Sequence, residues 1–107
     1  MIAKITVDFP ENQELPPKVD CVVVMDKRNG SPLMRLDVRS QRHKSIARPY
    51  ALEITAGIRG IWHFLNQEEV NNAFVYLWAE GRKIFPTHTT IEDVYGNWKA
   101  VFSGVNG

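Results

Sequence analysis

The chain has 107 residues, a formal net charge of +1, 44% apolar and 23% charged side chains. That size suits one hydrophobic core, and the composition excludes a disordered or fibrous chain, so a single compact domain over residues 1–107 is expected. No apolar run reaches the roughly 18 residues of a membrane span, no signal-peptide pattern opens the chain, and Cys21 alone allows neither an internal disulfide nor a cysteine-cluster zinc site, which together point to the cytoplasm.

From the N-terminus, Ile2 to Phe9 alternates, with Ala3, Ile5, Val7 and Phe9 on one face and Lys4, Thr6 and Asp8 on the other, as in a half-buried strand. Pro10, Pro16 and Pro17 with the polar residues between them then predict a surface loop. Asn29-Gly30 is the dipeptide favoured by two-residue hairpins. If Arg28 faces Ser31, then Met25 faces Met34, Val23 faces Leu36 and Cys21 faces Val38, giving one apolar face, while Asp26, Arg35 and Asp37 gather on the other.

The segment after Ser40 shows no clear period and ends at Pro49, which predicts an exposed connection. Tyr50, Ile54, Ile58, Ile61, Trp62 and Leu65 then recur at helical spacing, weakened by Gly57 and Gly60, and residues 50–56 also fit a strand. Asn66 and Glu69 resemble a capping pair ahead of Val70, Ala73, Phe74, Leu77 and Gly81, which predicts a second helix. Against it stand the β-favouring run Phe74 to Trp78 and a turn-like Glu80 to Lys83 leading into Ile84 and Phe85. Thr89 and Glu92 match a capping box, and Ile91, Val94, Tyr95, Trp98, Val101 and Phe102 form a stripe that predicts a last helix. Strands first and helices later indicate an α+β fold: a small N-terminal antiparallel sheet, with its hairpin at Asn29-Gly30, packed by two or three C-terminal helices.

Catalytic signals are weak. His43, His63 and His88 have no ligand or triad spacing, and Glu68-Glu69 and Glu92-Asp93 are explained by helix N-termini. Cys21 reads as a small core residue. The GxxG pattern at Gly57 and Gly60 can let a nucleic-acid backbone approach, but a proline and a basic segment precede it, and close packing is the simpler explanation. No catalytic residue, cofactor or metal site is expected.

Charge is distributed unevenly. Arg39, Arg42, Lys44 and Arg48 fall between Arg39 and Leu52 with His43 among them and no acid, while the rest of the chain is net acidic. Such a cluster binds phosphates by releasing counterions, with Tyr50 available to stack on a base; it also suits a solvated loop that offsets acidic surface elsewhere. Three Trp, three Tyr and five Phe exceed the demands of a small core, and Tyr76 and Trp78 are the aromatics expected to reach the surface.

These features favour a non-catalytic protein-binding module, such as an inhibitor or accessory subunit of a larger, nucleic-acid-processing machine. A residual apolar face would serve that partner or a second copy of the chain. Direct nucleic-acid binding through Arg39 to Arg48 is the alternative, and a small enzyme built around one of the histidines is the third reading.

Overall fold

The computed structural model describes residues 1–11, 13–43, 50–59 and 64–104, with the backbone only for His43. These residues form β1 Ile2–Asp8, β2 Cys21–Asp26, β3 Pro32–His43, β4 Ala51–Arg59, α1 Gln67–Asn71, β5 Ala73–Ala79, β6 Arg82–Ile84, β7 His88–Asp93 and β8 Lys99–Ser103. All strands join one antiparallel sheet in the order β6-β5-β2-β3-β4-β1-β7-β8, which curls into a half-barrel. The curl brings β5 towards β8, and the short α1 touches both.

Period-two alternation builds the core. Ala3, Ile5 and Val7 of β1 point inwards beside Leu52, Ile54 and Ala56 of β4, with Ile91 of β7 on the other flank. Val22, Val24, Met34, Leu36, Val75, Leu77 and Phe102 complete the enclosed face. The proline-rich loop is tied down by Gln41, whose side chain accepts from Val19 N at 2.7 Å and donates to the Pro17 carbonyl at 3.0 Å.

The fold is therefore not α+β: it is almost entirely sheet, and no layer of two or three helices packs on it. Residues 51–59 are β4, because Leu52, Ile54 and Ala56 alternate inwards with Glu53, Thr55 and Gly57 outwards; Gly60, Ile61, Trp62 and His63, included in the expected helix, lie outside the described residues. The capping box at Asn66 and Glu69 is real, with reciprocal bonds of 2.8 and 3.0 Å, but the helix it starts lasts five residues. From Ala73 the β-favouring run takes over as β5, and Glu80 (φ 53°) with Gly81 (φ 79°) turns it into β6. Thr89 and Glu92 cap nothing: Thr89, Ile91 and Asp93 face in and the segment is β7, hairpinned to β8 through Gly96 at φ 76°.

The β2–β3 hairpin exists, but in a different register. Val24 faces Met34, Val22 faces Leu36 and Cys21 faces Asp37. The cause is a longer turn than the two-residue form. Gly30 N donates to the Asp26 carbonyl, the Asp26 carboxylate accepts from Arg28 N at 2.8 Å, and within the turn only Gly30 has positive φ. Consequently Val22 and Val24 enter the core, while Cys21, Val23 and Met25 lie on the opposite face. Residues 41–43, expected in an exposed connection, belong to β3 instead, and residues 44–49 of that expectation lie outside the described residues. No helix among the described residues is long and apolar enough to cross a membrane.

Candidate functional site

The outer, convex face of the sheet carries a second apolar cluster. Cys21, Val23 and Tyr76 are buried there, with Met25, Phe74 and Trp78 packed against them. Strand alternation places Phe74, Tyr76 and Trp78 at positions i, i+2 and i+4 of β5, all on this face. The Tyr76 ring centroid lies 6.3 Å from that of Phe74, 6.0 Å from Trp78 in an edge-on arrangement, and 6.0 Å from Phe85, which follows β6. Phe85 is 47% exposed and Tyr76 only 7%, so the stripe runs from a buried centre to an open rim.

Cations edge the rings. Lys83 stands opposite Trp78 in the β5–β6 ladder, and its Nζ lies 4.8 Å from the Tyr76 centroid and 5.5 Å from that of Trp78. Across β2, Val23 pairs with Tyr76 on one side and Arg35 on the other, and Arg35 in turn pairs with Arg59. Arg35 and Arg59 share one acid, Asp37, at 3.4 Å each. Arg39, at the bulge between Val38 and Ser40, runs its stem past Gly57, in ordinary van der Waals range of where a Cβ there would stand. Acids stand among these four cations: the charges of Asp37 and Asp20 reach Cys21, and Glu14 lines a hollow together with Lys83 and Phe85.

Cys21 offers no nucleophile here. Burial pushes its thiol above the ordinary cysteine range, although Arg35 pulls the other way, and a thiolate is therefore scarce at neutral pH. His88 opens β7 at the surface, and His63 lies outside the described residues, as does the side chain of His43. No group of three or more His, Cys, Asp and Glu able to hold a metal occurs among the described residues.

Of the cations of the basic segment, Arg39 and Arg42 fall within the described residues. Arg39 joins Arg35 and Arg59 on the outer face, whereas Arg42 lies further along β3 and pairs with Glu53 at 3.2 Å. That hydrogen bond, assisted by Lys4, holds the Glu53 carboxyl below the ordinary carboxylate range. Lys44 and Arg48 lie outside the described residues. Tyr50 is 40% exposed just before β4, where its carbonyl accepts from Phe9 N at 2.8 Å.

Of the two aromatics expected at the surface, Trp78 is half-buried and Tyr76 forms the buried centre of the stripe. Sequence reasoning passed over Phe74, Lys83, Phe85, Arg35 and Arg59 as site residues. The signal was present in the spacing of Phe74, Tyr76 and Trp78, which share a face only in a strand; read as a helix, Tyr76 points away from Phe74. No family model, curated protein or solved structure matches the chain.

Proposed function

We propose that the protein is a non-catalytic binding module, an inhibitor or accessory subunit, that docks through this aromatic face on an acidic surface of another protein. The observation that carries the reading is the stripe Phe74, Tyr76, Trp78 and Phe85, rimmed by Lys83, Arg35, Arg39 and Arg59. The folding core is already enclosed on the concave side, so these rings are surplus to it. Interface centres are enriched in Trp, Tyr and Arg, and a border of cations around a desolvated aromatic centre complements carboxylates at the rim of a partner. We place the protein in the cytoplasm, where the free thiol of Cys21 stays reduced.

Single-stranded nucleic acid is the second reading, because it too is held by rings and cations together. The ring geometry favours protein. Tyr76 is buried and meets Trp78 at 78°, and Lys83 lies over both rings, so these two do not offer parallel faces to successive bases.

Affinity capture from a cell extract, mass-spectrometric identification and calorimetry with the purified partner test the proposal. Trp78→Ala and Lys83→Glu should each weaken that purified complex by about tenfold or more, whereas Val101→Ser, on the outer face of the far edge strand, should not. Equal affinity for all four proteins would remove the outer face as the docking surface. Salt-sensitive binding of an oligonucleotide that quenches Trp78 would favour the second reading instead.

A further inference from the structure

β6 ends the sheet on the side of the aromatic face. A hollow of about 500 Å³ is lined there by Arg82, Lys83, Ile84 and Phe85, together with Gln13 and Glu14 of the proline-rich loop. Ile84 belongs to the enclosed core, whereas Lys83 reaches over the Tyr76 and Trp78 rings on the convex face. Residues that alternate between the two faces of a strand line one hollow where it lies along the strand's edge, the position in which a further strand would pair.

The backbone at this edge has hydrogen bonds to give. Glu80 and Gly81, both at positive φ, form a two-residue turn whose flanking pair, Ala79 and Arg82, exchanges hydrogen bonds, as does Leu77 with Ile84 two steps on. The N–H and C=O of Lys83, between those pairs, therefore point away from β5, and no backbone partner for them occurs among the described residues. An extended segment laid in the hollow would satisfy both and present alternate side chains to the two faces. On the convex face they meet Lys83 and Phe85, and on the other Arg82 and Ile84. Two cations stand against the single carboxylate of Glu14 in the lining, which favours acidic side chains on the segment. A second copy of the chain is a poorer occupant, because antiparallel pairing of two β6 strands about Lys83 sets their ammonium groups opposite each other.

We propose that an extended acidic segment of the docked protein adds to β6 as a strand, with a carboxylate opposite Lys83 and its backbone bonded to the Lys83 N–H and C=O. This rests on the reading of the convex face as a docking surface and names the part of the partner that its edge receives.

The test follows chemical shifts and amide hydrogen exchange of the full chain during titration with a blocked hexapeptide of alternating glutamate and valine. One control peptide carries lysine in place of glutamate; a second has every glutamate nitrogen methylated, which removes the N–H groups that face Lys83. Saturable shifts centred on the Lys83 amide, with slowed exchange there, are expected for the acidic peptide. Both control peptides, and the acidic peptide with Arg82→Glu, should bind at least tenfold more weakly. An acidic peptide that fails to saturate, that leaves the Lys83 amide unmoved, or that binds no better than the two controls would overturn the edge strand. The purified partner separates this proposal from the docking face itself. A complex weakened by Trp78→Ala but untouched by Arg82→Glu leaves the docking face standing and overturns the edge strand, and a complex weakened by Arg82→Glu but not by Trp78→Ala does the reverse.

Discussion

The ammonium of Lys83 lies 4.8 Å from the centre of the Tyr76 ring, on the convex face of the sheet and away from the enclosed core. Such a pair contributes about 0.5–1 kcal/mol at an exposed site. A double-mutant cycle with Lys83→Ala and Tyr76→Leu, followed by urea unfolding, should return a coupling in that range. A coupling of zero would reduce Lys83 to a solvated cation that happens to lie nearby.

Asp26 and Arg28 make stability depend on acid. Two side-chain hydrogen bonds from Arg28, at 3.0 and 3.1 Å, together with the Arg28 backbone N–H, hold the Asp26 carboxyl below the ordinary carboxylate range. A depressed native value means the unfolded chain takes up the proton first as the pH falls. The stabilisation is therefore complete above about pH 5 and is lost progressively as acid carries the pH down through the unfolded and then the native value. Thermal unfolding across that range should show a shallower acid limb for Asp26→Asn than for the wild type.

Two glycines should respond oppositely to alanine. Gly81 sits at φ 79° in the β5–β6 turn, so Gly81→Ala should destabilise by about 1 kcal/mol or more despite open space around it. Gly57 lies in β4 without positive φ, and an added methyl would meet the Arg39 stem at an ordinary 3.5 Å. Gly57→Ala should be neutral or stabilising by about 0.4–1 kcal/mol through the unfolded chain. Paired denaturation curves distinguish the two.

Gln41 should matter more than its position on a partly exposed strand suggests. Its amide bridges the Val19 N–H and the Pro17 carbonyl, and Val19 is buried. Gln41→Ala leaves that N–H without its acceptor and should cost about 1–3 kcal/mol. Limited proteolysis ought to show faster cleavage around residues 13–18 in this variant, whereas an unchanged cleavage pattern would mean the loop is held by its prolines alone.

What could be read beforehand was mostly local. The alternation from Ile2 to Phe9 identifies β1, which ends one residue earlier at Asp8, with its inward face, and the Asn66-Glu69 pair correctly marks a helix start. A helix start says nothing of length, however, and five residues later the β-favouring run from Phe74 was free to pair with β2. Thr89 and Glu92 match a capping pattern by chance, since a Thr three residues before a Glu also arises in any strand with Thr89 inwards and Glu92 outwards. In the β2–β3 hairpin the choice of turn decided everything downstream: lengthening it at Asp26 moves Cys21, Val23 and Met25 from the core to the convex face. The candidate site inherits this. Its residues come from β2 to β6, and only the pairing of those strands sets Arg35 and Arg59 in line with Val23 and Tyr76.

The place of β1 in the sheet has a kinetic consequence. Ile5 is flanked by Ile54 on one side and Ile91 on the other, so both neighbours of the first strand lie far along the chain. Their pairing requires two large loops to close before any apolar burial offsets the entropy lost, and topologies dominated by such distant contacts fold on the millisecond-to-second scale instead of microseconds. Until β7 arrives, one side of β1 is an open edge with a row of apolar side chains, the state in which a nascent or unfolded copy of this chain is most exposed to association with others of its kind.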